Sequence, residues 1–358
     1  MNNMKKTFTI GLICAVASIL LSQCRDIELM ADYKDITISY GILNVNDDIH
    51  YFKIYRGFLT NGNADEAAGV WDNIYYPVDS IEVRLEEYRN GKIVRSAVLD
   101  TTTAIPREPG YFPNPKQLLY YSDWQLDIES VYRLVIHRHT SGDEVYAETL
   151  MVGAFDITRP RVSWNMNNEQ ASIIKFYQAE NAGMYDIFLT FYYIEVNNST
   201  HEVEHKQLTK RINGQYIRAT STPEVTFNSF IPKTFFTTFI QSIETNPHVT
   251  RYIESIDGKP YHCLRLTVWA GDKNYLTYRE VATPGSSIVQ NSLEYTNFVS
   301  ENESAYGFLG SRNFSYADLK MDNTFGHNED TLVLSPRTKR LNFRYYRESP
   351  EFPPDDEE

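Results

Sequence analysis

The string His201-Glu202-Val203-Glu204-His205 matches the HExxH pattern of zinc proteases. In those enzymes the pattern lies on a helix, so that both histidines face one metal ion. Here residues 192–196 alternate as in a strand, and the polar run at residues 197–200 predicts a turn before a second strand begins at Val203. Positions four apart in a strand lie about 13 Å apart. The two histidines therefore could not share one zinc ion, and we do not predict a zinc protease.

Two further groups of residues could do chemistry. His137 and His139 lie two positions apart on a predicted strand, so they share a face and could bind a metal with a third ligand. No Cys or Asp at suitable spacing supplies that ligand. Cys263 follows His262, but adjacent strand residues point to opposite faces, and Cys is commonly a buried small hydrophobe. We predict no catalytic residue, cofactor or metal site, although a triad built from distant residues would leave no local pattern.

The tryptophans are candidates for ligand binding. Trp71, Trp124, Trp164 and Trp269, together with 26 tyrosines, could form a stacking platform for sugars, or they could be core and sheet residues. Trp71 follows a short predicted helix in a connecting segment, where functional residues are common. The core interpretation is favoured for the set, with Trp71 as the exception.

The N-terminus carries the clearest chemical signal. Lys5 and Lys6 precede an apolar run over residues 8–21, which is too short to span a membrane but has the length of a secretory signal. The run ends at Leu21-Ser22-Gln23-Cys24, which resembles the lipobox of bacterial lipoproteins, although Gln23 departs from the usual small residue. We predict removal of residues 1–23 and lipidation of Cys24, with palmitate among the expected acyl chains. An ordinary signal peptide is the alternative.

Charge and cysteine content limit the partners. The net charge of −13 argues against nucleic acid and against an electrostatic hold on anionic lipid, so attachment to the membrane would depend on the N-terminal lipid. Loss of Cys14 with the signal and acylation of Cys24 would leave only Cys263, and no intrachain disulfide. With 26 Tyr and 19 Phe the chain can still form an apolar core, and this composition favours β structure.

Turn signals and alternation predict a first set of strands. Asn63 is the predicted N-cap of a short helix over residues 64–68. Asn90-Gly91 joins two alternating runs, which is a strong hairpin signal because both turn residues need a positive φ. A second hairpin is predicted over residues 131–150. Short strands with turns between them are typical of a β-sandwich.

A second set of strands follows a predicted domain change near residue 158. Strands are predicted over residues 171–177, 185–196 and 203–212, and a hairpin over residues 263–281 joins two more. Pro232 and the helical spacing of five apolar residues predict one packing helix near residues 232–244. Those apolar residues are Phe235, Phe236, Phe239, Ile240 and Ile243.

Several strings resemble a family of uncharacterised Bacteroidetes lipoproteins, described as DUF4249-like. Besides the lipobox, they are Asp48-Ile49-His50-Tyr51-Phe52-Lys53-Ile54 with Gly62-Asn63-Ala64, Pro109-Gly110-Tyr111-Phe112, and Tyr295-Thr296-Asn297 with Gly307-Phe308-Leu309-Gly310-Ser311-Arg312. The resemblance implies an outer-membrane lipoprotein of β-rich, Ig-like build, and it brings no catalytic residue. It also implies a TonB-dependent transporter as a partner.

We therefore expect a mainly β protein with two β-sandwich (Ig-like) domains, residues 37–157 and 158–348, and one packing helix in the second. A signal peptide (1–23) and a tether (24–36) precede them, and a disordered acidic tail (349–358) follows. The expected function is non-catalytic binding or accessory work at the cell envelope, in support of nutrient uptake. It predicts an exposed aromatic cleft or a flat apolar patch on or between the domains. A structural or adhesive surface lipoprotein is the alternative, and an envelope hydrolase is a third.

Overall fold

A computed structural model of the chain describes residues 35–58, 60, 63–108, 115–282, 295–301, 304–322 and 328–352. The predicted signal peptide, Cys24, the string from Pro109 to Phe112 and the last six residues lie outside this part. Within it the fold is mainly β, with sandwich-like sheets, as the sequence predicts.

The described residues form 18 strands: β1 (Thr37–Leu43), β2 (His50–Arg56), β3 (Ile81–Arg89), β4 (Lys92–Val98), β5 (Asp100–Thr102), β6 (Leu119–Ser122), β7 (Val131–Arg138), β8 (Glu144–Leu150), β9 (Ile157–Arg159), β10 (Ser163–Trp164), β11 (Ser172–Tyr177), β12 (Ala182–Asn197), β13 (Val203–Arg211), β14 (Ile217–Arg218), β15 (Glu224–Phe230), β16 (Val249–Ile253), β17 (His262–Asp272) and β18 (Ala305–Met321). The helices are α1 (Ala64–Ala68), α2 (Trp71–Ile74), α3 (Pro232–Ile240), α4 (Lys273–Ala282) and α5 (Asn328–Val333).

The N-terminal half forms a sandwich of two sheets. One sheet has the order β4-β3-β7-β8, and the other contains β1, β2, β6 and β5 with the first part of β18. Alternate residues of β3 (Ile81, Val83 and Leu85) face the core, where they meet Phe52 and Ile54 of β2. This period of two is what the sequence shows for both strands.

The C-terminal half forms a second sandwich. Its large sheet has the order β13-β12-β17 with the second part of β18, and a small sheet, β15-β11-β9, faces it. Helix α3 adds Phe236, Phe239 and Ile240 to the core between the two sheets. The packing helix predicted from Pro232 and the apolar spacing is therefore confirmed.

Strand β18 belongs to both sandwiches. Ala305 to Ser311 pair with β1 in parallel, and the ladder with β17 begins at Arg312 and runs antiparallel. Consequently Phe298, Ala305 and Leu309 pack in the N-terminal core, although they lie far inside the segment predicted to form the second domain. The two cores divide the earlier chain between Met151 and Val152.

Local signals gave correct elements. Asn90 and Gly91 have φ values of 51° and 71° at the β3–β4 turn, and the Asn63 side chain accepts a hydrogen bond from Asp65 N at the start of α1. The predicted strand over residues 275–281 is wrong, because this segment is helix α4. The Asp272 carboxylate accepts a hydrogen bond from Tyr275 N (2.7 Å) and so caps the first turn of a helix where the sequence predicts a hairpin turn.

The ends of the described chain are more ordered than the sequence suggests. Ile36 O accepts a hydrogen bond from Gly57 N (2.7 Å), and Asp35 O accepts one from Arg138 (2.6 Å), so the predicted tether ends before these residues. Ser349 is buried and the Phe352 ring lies 5.1 Å from that of Tyr346. The acidic tail therefore cannot begin at residue 349.

Substitution of Gly307 tests how far the stability of the fold depends on the pairing of β18 with β1. It has a φ of 103°, and a Cβ there would lie 1.9 Å from Ser39 O of β1. We expect Gly307→Ala to lower the free energy of unfolding by more than about 3 kcal/mol, because the ladder must separate to admit the methyl group. Gly142 is the matched control, since its φ is 74° and a Cβ meets nothing within 4 Å. Gly142→Ala should cost about 1 kcal/mol in urea denaturation. Equal losses would contradict this reading of Gly307.

Candidate functional site

The HExxH string lies on strand, turn and strand, as predicted. His201 is in the turn with a φ of 61°, and His205 is an exposed residue of β13 whose Nδ1 lies 3.0 Å from a Glu254 carboxylate oxygen. The backbone therefore does not give the two histidines the shared helical face that the protease motif requires.

The other candidate ligands also do not assemble into a site. The rings of His137 and His139 are 5.4 Å apart, and His139 Nδ1 hydrogen-bonds with Asp79 O. Among the residues that the structure describes, no three His, Cys, Asp or Glu side chains are grouped to hold a metal ion. Cys263 is fully buried, and desolvation raises the pKa of its thiol, which opposes formation of a nucleophilic thiolate.

Three of the four tryptophans are buried or packed against a neighbouring ring, and the fourth lies on an outer face. Trp124 and Trp164 are buried in the two cores, and Trp71 is half-buried with its ring 4.3 Å from that of Tyr75. Trp269 differs because it lies on the outer face of the large sheet. In β17, Leu266, Val268 and Ala270 point to the core, so Trp269 points away from it.

Cross-strand neighbours place more aromatic rings beside Trp269. It lies opposite Asp186 of β12 and Phe314 of β18, and the Phe314 ring is 4.7 Å away. In the next row on the same face, Thr267 separates Phe188 from Tyr316. These residues form an aromatic surface of half-exposed and exposed rings on the outer face.

A cleft of about 180 Å³ lies at one end of this surface, near the start of α4. We call it the aromatic cleft, and it is lined by Met184, Asp186, Phe188, Trp269, Ala270, Gly271, Tyr275 and Arg312. Its volume is below the roughly 300 Å³ at which pockets for drug-sized ligands begin. It therefore suits a single ring or the end group of a larger ligand.

Arg312 gives the aromatic cleft a positive group. Its guanidinium carbon lies 4.7 Å from the Trp269 ring centroid, at a distance typical of a cation–π contact. A terminal guanidinium nitrogen of Arg312 lies 3.6 Å from a carboxylate oxygen of Asp47, which belongs to the N-terminal sandwich. The cleft is therefore next to the seam between the sandwiches. The side chain is 41% exposed, yet its Nε atom is buried and has no hydrogen-bond acceptor among the described residues.

Asp186 is the acidic residue of the cleft, and it is neutralised locally. It forms ion pairs with Arg211 of β13 and Arg279 of α4, and its carboxylate also accepts a hydrogen bond from Asn213 (3.2 Å). Two guanidinium groups thus neutralise this carboxylate, and Arg312 adds a third guanidinium group to the lining of the cleft. An anionic ligand group is therefore favoured over a cationic one, in spite of the negative net charge of the chain.

Two of the strings that carry the family resemblance, residues 295–297 and residues 307–312, come together beside the cleft. Asn297 donates to Leu309 O (2.8 Å) and accepts from Leu309 N (2.9 Å), so it pairs with the backbone of β18 like a short strand. Asp272 is buried there and accepts a hydrogen bond from Thr149 of the N-terminal sandwich (2.8 Å). These residues join the two sandwiches and hold the start of α4, and they expose no reactive group.

The sequence named Trp269 as one of four candidates but missed its partners. Asp186 and Phe188 come from β12 and Arg312 comes from β18, two segments that the sheet order brings to either side of Trp269. The alternation of β17 indicates the position of Trp269, because it places this side chain on the face of the strand that lies away from the three core residues. Arg312 ends the string Gly307-Phe308-Leu309-Gly310-Ser311-Arg312, where it had no assigned role.

No protein-family model and no curated protein matches the chain. Among solved structures, the chain is similar to the C-terminal globular domain of an oligosaccharyltransferase from Pyrococcus abyssi, at 10% identity over 57% of this chain and 39% of that chain, with a TM-score of 0.24. It is also similar to CBD12 from CALX1.2, at 11% identity over 80% of this chain and 100% of that one, with a TM-score of 0.17. The chain thus spans less than two thirds of the archaeal structure. In the described residues, no helix has both the length and the apolar character needed to cross a membrane.

Asp272 predicts a pH dependence of stability. Burial raises the pKa of its carboxyl group to about 6, above the ordinary 3.8, although hydrogen bonds from Tyr275 N and Thr149 oppose the shift. The folded chain therefore keeps a proton that the unfolded chain has lost between about pH 4 and pH 6, so stability from this group falls as pH rises through that window. Between pH 4 and pH 6 we expect the free energy of unfolding of Asp272→Asn to decrease by up to about 3 kcal/mol less than that of the wild type.

Urea denaturation of the wild type and of Asp272→Asn at several pH values across the window measures the effect. Asp48→Asn, at an exposed position, controls for the loss of one carboxylate. The expectation fails if the difference in unfolding free energy between Asp272→Asn and the wild type stays constant with pH.

Proposed function

We propose that this chain is a lipid-anchored protein of the cell envelope that binds an anionic, ring-bearing ligand in the aromatic cleft without transforming it. The observation that carries the proposal is the position of Arg312 over Trp269 in a cleft with two further aromatic rings, Phe188 and Tyr275. Cys24 lies outside the described residues, so the anchor rests on the lipobox-like sequence alone.

The cleft combines two recognition chemistries. The electron-rich face of an indole attracts the weakly positive C–H groups of a sugar ring, and the neighbouring guanidinium can pair with a carboxylate or phosphate. A uronic acid, which carries a carboxylate on a pyranose ring, matches both features and the small volume of the cleft.

The charged groups of the cleft favour binding over catalysis. The cation of the lining, Arg312, is a guanidinium group, which does not exchange protons near neutral pH. Asp186 is engaged by two further guanidinium groups, those of Arg211 and Arg279, which lie outside the lining. General acid–base catalysis needs a group placed to exchange a proton with the reacting atoms, and the one carboxylate of the lining is already held in these two ion pairs.

The position in the cell follows from the anchor. We place the protein at the outer membrane, facing the periplasm or the cell surface, where it would present ligand to a TonB-dependent transporter. The transporter comes from the family resemblance. A structural or adhesive surface lipoprotein is the second candidate, and it would not require a ligand for the aromatic cleft.

The binding proposal is tested with glucuronate as the probe and neutral glucose as the matched ligand. We expect saturable binding of glucuronate by isothermal titration calorimetry, weakened about tenfold or more by Arg312→Gln, because a charge-assisted hydrogen bond contributes about 1.5–3 kcal/mol. Trp269→Ala should lower the binding affinity for both ligands, whereas Trp71→Ala, in the other sandwich, should leave both affinities unchanged. Absence of glucuronate binding, or binding that survives both changes in the cleft, would contradict the proposed ligand class.

The anchor is tested by mass spectrometry of the membrane-fraction protein, comparing the wild type with Cys24→Ala. We expect an acylated N-terminal cysteine that is absent from the variant, which should leave the membrane fraction, because acyl chains contribute about 0.8 kcal/mol per buried methylene. Protease shaving of intact cells then distinguishes surface from periplasmic exposure. An unmodified mature N-terminus at another residue would overturn the anchor without affecting the ligand experiment.

A further inference from the structure

Strand β4 is an exposed edge. It pairs with β3 on one side, and no other described strand pairs with it. Six of its seven residues are exposed, among them three β-branched apolar residues: Ile93 at 53%, Val94 at 54% and Val98 at 59%. A strand of this kind offers unpaired backbone groups and apolar side chains to an incoming strand.

Other long edges in the described part are protected in ways that β4 is not. β13 carries charged residues, including Glu204, Lys206 and Lys210, and β8 is bridged at Tyr146 by Val299. The exposed residues of β15 are polar, and β5 and β9 have only three residues each. Charge, cover and short length are the usual means by which proteins blunt an edge. In β4, the ladder with β3 skips Val94 between Ile93 and Arg95, so the bulge lies near one end of the strand, and Arg95 to Val98 pair regularly.

We propose that β4 pairs with β4 of a second copy of this chain, antiparallel and with Ser96 opposite Ser96. The two four-stranded sheets would then join into one across the two-fold axis. On the outer face, Val94 of each copy would lie opposite Val98 of the other. Apolar β-branched pairs of this kind stabilise a sheet.

Charge selects this register over its neighbours. A shift that places Arg95 opposite Arg95 puts like charges in direct contact, which is unfavourable. A shift in the other sense centres Ala97 on itself and moves Val98 opposite Ser96, so the apolar contacts between Val94 and Val98 are lost. With Ser96 at the centre, Arg95 faces Ala97 of the second copy, so no like charges lie directly opposite each other.

The strength of the pairing follows from its size. The contact involves one seven-residue strand from each copy, which falls short of the roughly 1,200 Å² typical of stable interfaces. The dimer should therefore be weak and reversible, and it is best detected by trapping.

The test uses variants that each add one cysteine to the full-length chain, purified in detergent and treated with a short bis-maleimide cross-linker. Ser96→Cys should give about tenfold more covalent dimer than Ser229→Cys, an exposed serine on edge strand β15, because the two-fold axis holds the Ser96→Cys thiols together. The wild type is the blank, because Cys263 is buried and any reaction of Cys14 or Cys24 is common to all variants. Val94→Cys alone should not cross-link, because its copies lie about 13 Å apart. A mixture of Val94→Cys with Val98→Cys should cross-link.

Adding Val98→Lys to Ser96→Cys should reduce the dimer several-fold, whereas Val162→Lys, at an equally exposed valine elsewhere, should not. Equal cross-linking of Ser96→Cys and Ser229→Cys would overturn the proposal. So would cross-linking of Val94→Cys alone that matches the mixture, because it would exclude the register.

Discussion

The backbone hydrogen bonds of β18 hold the two sandwiches in one structure. Its first part completes the N-terminal sheet beside β1, and its second part completes the C-terminal sheet beside β17. The close approach of the β1 backbone at Gly307 requires a residue without a side chain. Where β18 changes partners, Ser311 donates to Leu150 O (2.6 Å) and accepts from Val152 N (3.1 Å), so the link between the domains is fixed to the same strand. The aromatic cleft lies against this strand and depends on it for Arg312.

Features that depend on neighbouring residues could be predicted from the sequence. Asn90-Gly91 determines its turn through positive φ values, and Asn63 caps its helix through a contact two residues away. The error at α4 has the same origin, because Gly271-Asp272-Lys273-Asn274 has the composition of a turn as well as that of a helix start. The pairing of β1 with β18 joins Thr37 to Ala305, and no local pattern encodes a contact of that separation.

The candidate site was only partly predictable for the same reason. The residue types for stacking are evident from the sequence, but the partners of Trp269 lie on β12 and β18, far from it along the chain. Arg312 is informative here because it contacts Trp269 in one sandwich and approaches Asp47 of the other. A charged side chain in that position can respond to small changes in the angle between the sandwiches, so the cleft and the domain seam are not independent.

The clamped start of the described chain has a mechanical consequence. Asp35 and Ile36 are tied to Arg138 and Gly57, and β1 then runs between β2 and β18. Tension applied from the N-terminal side acts along β1, nearly at right angles to its hydrogen bonds with β2. Those bonds are then loaded in shear and together, instead of opening one after another from an end. A chain held by its N-terminus in flowing medium would in this way resist extraction of its first strand, and its lifetime under load would be set by the unfolding rate and not by equilibrium stability.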